Sequence, residues 1–298
     1  MACYHPVEVA VSRKSVARAG ARVSDQVTVP CGSCLGCRAD QARTWAVRLV
    51  HEGEYPKRPA WFVTLTYRPE EVPQFGTLDP EHPTRFLKRF RKRYGKVSYY
   101  LCGEYGETTE RPHYHMCVYG ARFLDRAHLA TRHNAPVFTS ETLESTWGHG
   151  LVEFTGLTYA GARYVAGYVR KKVRQRDDPE HYTRVDPSTG ELVQLRPEYG
   201  RMSRRPAIGR RWIEKYWSDV YPRDFVVING RPLKPPRYYD KFMDLPDEKG
   251  GSRERREIMY HVRRQRIEDA IEISDEKLIM KEKVHRAKVA LFQQRDGV

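Results

Sequence analysis

Val97-Ser-Tyr-Tyr-Leu-Cys-Gly-Glu104 and His113-Tyr-His-Met-Cys-Val-Tyr119 decide the fold. Both segments are short, rich in β-branched and aromatic residues, and separated by a polar stretch with Gly106 and Pro112. Such a pair predicts the two strands of an antiparallel hairpin. Residues two apart on a strand point to the same side, so His113 and His115 present both imidazoles on one face of the sheet. Glu104 ends the first strand and comes near that pair across the hairpin. Two imidazoles with one hard carboxylate suit Mg²⁺ or Mn²⁺ and leave open positions for substrate oxygens. Glu107, in the turn, is the alternative third ligand. The plainer reading of Glu104 is a solvated or Arg-paired carboxylate.

Working outward, Trp61-Phe-Val-Thr-Leu-Thr-Tyr67, with Pro59 before and Pro69 after, predicts a buried strand. Leu151-Val-Glu-Phe-Thr155 predicts another. Ala42, Trp45, Ala46 and Leu49 recur at helical spacing and predict a helix over 38–51, which Gly53 can end. Phe86, Leu87 and Phe90 share one face of a helix over 84–94. Thr158 can cap a helix to about Val173, with Ala162, Val165, Ala166 and Val169 as its apolar stripe. The order helix, strand, helix, three strands, helix implies an α+β fold, a central antiparallel β-sheet flanked by helices. The organisation expected is a cysteine-cluster segment at 1–37, a core at 38–177, an extension rich in Arg and aromatics packed on it at 178–247, and a charged helical C-terminal tail at 248–298. The tail has 13 Lys/Arg against 10 Asp/Glu and no heptad, and it reads as a solvated helix.

The chain has 298 residues, 53 of them Lys or Arg and 38 Asp or Glu, for a net charge of +15. Hydrophobic residues make up 40%, enough for a core, which excludes a wholly disordered basic protein. No stretch approaches the roughly 20 apolar residues of a membrane span. The start, MACYHPVEVAVSRKS, lacks the apolar centre of a signal peptide, so a soluble intracellular protein is expected. The charge points to a polyanion. Nucleic acid is the simplest, and anionic lipid is the rival, with no broad amphipathic basic helix to support it.

Tyr164-Val-Ala-Gly-Tyr168-Val-Arg-Lys171 places two tyrosines at i and i+4, one turn apart on one helix face, with Lys171 three residues beyond the second. A phenol attacks phosphorus poorly while its pKa stays near ~10. A neighbouring ammonium and a metal that polarises the phosphate make the attack feasible. Tyrosines at this spacing also pack on cores. Basic clusters suit a phosphate backbone: Arg85, Lys88, Arg89 and Lys92 on one helix, Arg170 and Lys172 beside the tyrosines, and Arg204 and Arg205 near Tyr199 and Trp212. Solvated faces and core aromatics are the plainer readings. Cys31, Cys34 and Cys37, at C-x-x-C-x-x-C spacing, can converge on one ion, with Cys3 as a fourth ligand. Structural Zn²⁺, an iron–sulfur cluster and reduced packing thiols are the three readings. Cys102 and Cys117 read as buried small hydrophobes.

Together these stretches resemble the HUH endonuclease superfamily. Residues 61–67 resemble its first motif, His113-Tyr114-His115 its His-hydrophobe-His metal motif, and Tyr164 to Lys171 its two-tyrosine nucleophile motif. The similarity is closer still to the replication initiators of small single-stranded DNA phages, the gokushovirus branch of the microviruses. Pro30-Cys31-Gly-Ser-Cys34-Leu-Gly-Cys37-Arg38, Gly103-Glu104-Tyr105-Gly106, Arg111-Pro112-His113-Tyr114-His115 and Met202-Ser-Arg-Arg-Pro-Ala-Ile-Gly209 all carry it. The resemblance implies that Glu104 is the third metal ligand. It also implies that one tyrosine nicks the origin strand, keeps a 5′-phosphotyrosine bond and frees a 3′-OH. The second tyrosine then cuts the regenerated origin so that the strand closes. Single-stranded or origin DNA, a host helicase or polymerase, and the cytoplasm of a bacterial host are the implied partners and place. The family often has Lys before the second tyrosine, where this chain has Gly167. Lys171 therefore makes Tyr168 the expected first nucleophile. The rival readings are a relaxase- or transposase-type strand transferase, or a non-catalytic DNA-binding protein with structural zinc.

Overall fold

A computed structural model of the chain describes residues 3–10, 26–106, 108–171, 180, 182–246, 252–269 and 274–295, without the side chains of 26, 168–171 and 292–295. The chain forms two compact units, one of residues 42–265 and a smaller one of residues 1–41 with 266–298. The smaller unit opens with β1 (Val7–Ala10) and β2 (Gln26–Val29), an antiparallel ribbon, and the start of α1 (Leu35–Glu54).

The larger unit adds β3 (Ala60–Thr66), α2 (Glu81–Tyr94), β4 (Ser98–Tyr105), β5 (Pro112–Tyr119), β6 (Ala127–Arg132), β7 (Ala135–Thr139), α3 (Glu141–Trp147), β8 (Val152–Gly156) and α4 (Tyr159–Lys171). After these come a small ribbon of β9 (Thr183–Val185) and β10 (Leu192–Gln194), then β11 (Tyr199–Met202), α5 (Arg210–Val220), β12 (Val226–Ile228) with β13 (Arg231–Leu233), α6 (Arg237–Met243) and α7 (Ser252–Glu268). α8 (Asp275–Arg295) returns to the smaller unit. Seven strands form one sheet in the order β11-β4-β5-β3-β8-β7-β6, each pair antiparallel. The α+β class, the central antiparallel sheet and the helical C-terminus follow the sequence expectation.

Strand alternation divides the sheet into two cores. Val63, Leu65, Tyr114 and Met116 point to one face, where α2 and α3 cover them with Phe86, Phe90 and Trp147. Each of these large side chains contributes roughly 1.5–3 kcal/mol by leaving water. Cys102, Cys117 and Tyr119 point to the other face, under Ala46 and Leu49 of α1 and Ala162 and Val165 of α4. Both cysteines are buried, and burial drives both thiols well above their ordinary pKa. Thr158 caps α4, its hydroxyl accepting from the Gly161 N–H at 3.1 Å.

The hairpin β6–β7 was not legible in advance. Its turn is His133-Asn134, both at positive φ (51° and 59°), the conformation that Asn-Gly ordinarily signals. Pro136 also argues against a strand there. Nor does local pattern reveal that β11 extends the main sheet beside β4.

The 178–247 segment packs on α1. Arg48 donates two hydrogen bonds to the Ile208 carbonyl, at 3.0 and 2.9 Å. The buried Glu52 carboxylate accepts from the Gly209 N–H at 2.7 Å and pairs with Arg58. Gly209 sits at φ +74°, and a Cβ there would come within 2.9 Å of the Tyr239 hydroxyl, so the position requires glycine. The third core contains Val47, Ile213, Tyr221, Tyr239 and Met259. His51 is buried beside it, stacked on Trp212 at 3.5 Å and bonded through Nδ1 to the Tyr239 hydroxyl at 2.8 Å.

Burial pushes the His51 pKa down to about 3. The unfolded chain takes up the same proton near its ordinary value of 6.5. Stability from this residue is therefore complete above pH 6.5 and falls as pH drops toward 3. The loss at pH 5 is roughly 2 kcal/mol. Denaturant unfolding at pH 7 and pH 5 is expected to show that extra loss in the wild type and not in His51→Gln. The same pH dependence in both proteins would contradict it.

Candidate metal and nucleophile site

The register of three strands builds the site. Glu104 on β4 lies opposite His113 on β5, and His115 lies opposite Cys102 on β4 and Thr64 on β3. Opposed residues share a face, so Glu104, His113, His115 and Thr64 project together, on the side of the sheet that α4 covers. The Glu104 Oε1 is 2.8 Å from Nε2 of His113 and 2.9 Å from Nε2 of His115. One ligand atom from each residue lies within 4.8 Å of the others. Glu104 is 1% exposed, and its Oε2 is buried with no hydrogen-bond partner. Burial raises the Glu104 carboxyl, but the hydrogen bonds from His113 and His115 outweigh it and hold the group below the usual carboxylate range.

The outer nitrogens of both rings are pinned. His113 Nδ1 lies 3.1 Å from the Arg111 carbonyl, and His115 Nδ1 lies 3.0 Å from the Thr64 hydroxyl. A carbonyl only accepts, so His113 Nδ1–H donates to it, and the neutral ring turns its Nε2 lone pair toward the carboxylate. Two acceptors facing each other across 2.8 Å call for a cation between the groups. The orphaned Oε2, the outward pinning of Nδ1 and the hard-plus-imidazole donor set all fit a divalent metal such as Mg²⁺ or Mn²⁺. Glu107, the alternative ligand, lies outside the described residues.

Thr64 was missed in the sequence. The available signal was a hydroxyl on the same strand face as Phe62 and Thr66 in an otherwise apolar run, but only the register shows that it meets His115. Losing an outer partner of a metal-binding His typically costs about 10–100-fold in metal affinity. Thr64→Val keeps the β-branched shape and removes the hydroxyl. Mn²⁺ titration is expected to show that loss with an unchanged circular dichroism spectrum, and wild-type affinity in the variant would contradict the role.

α4 brings the tyrosine helix to this face. The Tyr164 ring stands 5.5 Å from the His115 ring, edge to face at 76°, and 6.2 Å from Phe62. Tyr164 is 46% exposed, so its hydroxyl is open to a strand of DNA. The backbone of Tyr168, Arg170 and Lys171 continues the helix. Their side chains, and all of Lys172, lie outside the described residues.

The other basic residues lie elsewhere. α2 covers the opposite face of the sheet, so its exposed Lys88 and Lys92 are on the far side from the histidines. Arg85 pairs with Glu81 at 3.3 Å. Arg89 donates to the Thr146 and Trp147 carbonyls at 2.7 and 2.9 Å, satisfying the open end of α3. Arg204 and Arg205 follow β11, and Arg205 lines a cleft of about 80 Å³ with Arg58, Lys96 and Arg211. That cleft includes Ser98, six residues before Glu104 on β4, or roughly 20 Å along the strand. The four cysteines converge in the smaller unit, their sulfur atoms within 4.8 Å of one another.

Fold and site together define a class: an antiparallel sheet carrying a carboxylate and two histidines, facing a helix with paired tyrosines. A family model of the replication-associated protein ORF2 type matches residues 60–173, which run from β3 through both tyrosines. The chain is similar to replication-associated protein VP4 of Bdellovibrio phage phiMH2K, 33% identical over 225 residues, 70% of this chain and 65% of that protein. It is 32% identical over 232 residues to replication-associated protein ORF2 of Spiroplasma virus 4, 73% of this chain and 68% of that protein. To replication-associated protein ORF4 of Chlamydia phage 1 it is 29% identical over 224 residues, 71% of this chain and 52% of that protein. The chain belongs to this family of phage replication-associated proteins. The match thus spans about two thirds of the length of the first two relatives and about half of the third. No solved structure matches the chain. Among the described residues, no helix is long and apolar enough to cross a membrane.

Proposed function

We propose that the protein initiates rolling-circle replication of a single-stranded DNA phage by nicking one strand at the viral origin through a tyrosine and later re-joining the ends. The observation that carries this reading is the convergence of Glu104, His113 and His115 on one face, with the Tyr164 ring packed against His115. Glu104, His113 and His115 would hold the metal. Bound there, Mg²⁺ or Mn²⁺ supplies Lewis-acid polarisation of a phosphate oxygen.

The chain's own residues do the rest. Arg111 and Thr64 fix the two imidazoles through Nδ1. Tyr168 or Tyr164 attacks the scissile phosphorus. One O–P bond forms to the phenol oxygen as the bond to the 3′ oxygen breaks. The phenol gives up its proton, and the leaving 3′ oxygen gains one. Lys171, one turn past Tyr168, favours the phenolate. The phosphotyrosine keeps the bond energy, so the 3′-OH can later reverse the step without ATP. Two tyrosines one turn apart allow cleavage and re-joining to alternate between them. Origin DNA is the substrate, the host's helicase and polymerase are the partners, and the cytoplasm of the infected bacterium is the place of action.

Single-stranded oligonucleotides tiled across the phage genome, incubated with the protein and Mn²⁺, test the reading. Cleavage of one sequence, stopped by EDTA and restored by excess Mn²⁺, is expected. Tight binding without cleavage of any oligonucleotide would refute it.

A further inference from the structure

The smaller unit contains a second cluster that nuclease chemistry does not use. Pairing of Val7 with Val29 in the β1–β2 ribbon brings Cys3 and Cys31 to the same end, although 28 residues separate them. Cys34 immediately precedes α1, and Cys37 lies in its first turn, where backbone N–H groups lack intrahelical acceptors. The Cys3 sulfur is 3.6 Å from that of Cys31 and 3.9 Å from that of Cys34. A disulfide needs ~2.05 Å. Four thiolates on one zinc ion, each at ~2.3 Å, stand roughly 3.8 Å apart, the edge of a tetrahedron. An iron–sulfur cluster places its own iron and sulfide atoms between the thiolates and spreads them farther.

Backbone donors give a second, independent sign. The N–H groups of Cys31, Cys34 and Cys37 donate to the sulfurs of Cys3, Cys31 and Cys34 at 3.3, 3.3 and 3.4 Å, and Tyr4 N–H donates to Cys34 at 3.4 Å. Hydrogen bonds to sulfur favour the thiolate, the form that binds metal. Thiols that merely fill a core need no such set of donors. All four cysteines are free of disulfides.

We infer that Cys3, Cys31, Cys34 and Cys37 bind one structural zinc ion, and that the loaded site holds α8 in place. Residues 3–5 are the link. Tyr4 reaches Cys34 through its N–H and His285 of α8 through its hydroxyl, 2.8 Å from Nδ1. His5 Nε2 lies 2.7 Å from the Glu282 carboxylate. Leu278 and Glu282 of α8 are buried, unlike the solvated helix the composition suggests. Binding releases the thiol protons to solvent as the four thiolates close around the ion. The inference does not rest on the proposed nuclease activity.

The full chain, purified without chelator, is analysed for metal as wild type, as His113→Ala/His115→Ala and as Cys31→Ser/Cys34→Ser. About one zinc per chain is expected in the first two and none in the third. Cobalt exchanged into the wild type is expected to give the intense visible bands of a tetrahedral tetrathiolate, a readout independent of whether the cysteine variant folds. Releasing zinc with a mercurial is expected to speed amide exchange over residues 275–291 by at least about tenfold. Wild-type protein without zinc, iron in its place, zinc retained by the cysteine variant, or unchanged exchange in α8 would each overturn the inference.

Discussion

His115→Ala is expected to lower cation-dependent DNA cleavage by at least about 10³-fold, because it removes a ligand and not merely an outer partner. His115 is a central part of the site. It faces Glu104 on one side and Thr64 on the other, and Tyr164 packs on its ring. The side chain is nearly buried within the sheet, so truncation also opens a small cavity. The readout therefore includes Mn²⁺ affinity and thermal unfolding as well as cleavage. Cleavage and Mn²⁺ binding lost together, with a small change in melting temperature, is the expected pattern. Wild-type cleavage in the variant would remove His115 from the reaction.

Tyr164→Phe/Tyr168→Phe is expected to abolish covalent attachment to DNA and to lower cleavage by at least about 10³-fold, since no phenol remains to act as nucleophile. Each substitution deletes one oxygen from a side chain that otherwise keeps its shape. Tyr168→Phe is expected to abolish initial nicking more fully than Tyr164→Phe, because Lys171 lies one turn beyond Tyr168. Equal loss from both single variants would refute that order. Single-stranded DNA binding by the double variant, measured by fluorescence anisotropy, is expected to stay within about threefold of wild type, since charge supplies most of that affinity. Cleavage that persists in the double variant would point to water or another side chain as the nucleophile.

What could be read in advance follows from period and register. The two-residue alternation in His113-Tyr114-His115 was enough to place both imidazoles on one face, and the short turn placed Glu104 beside them. The i, i+4 tyrosines likewise lie on one helix, α4. Thr64 was hidden because its role depends on which strand pairs with β5, a tertiary fact that no local pattern records. Arg89 looked like one cation among seven on a basic face, yet it spends its guanidinium on the end of α3. The β6–β7 hairpin escaped because His133-Asn134 carries no glycine. The tail looked evenly charged because the few residues that bury it, such as Leu278 and Glu282, are spaced too sparsely to show as a stripe.

The central claim is a tyrosine-linked, metal-dependent cut, and the most direct measurement is to trap it. The protein is incubated with single-stranded origin DNA and Mn²⁺, digested with protease, and the DNA-linked peptide is identified by mass spectrometry. The account predicts a nucleotide joined through its 5′-phosphate to Tyr168 or Tyr164, absent with EDTA and absent in His115→Ala. Tight, metal-independent DNA binding with no adduct on any strand would contradict it and leave a DNA-binding protein without this chemistry.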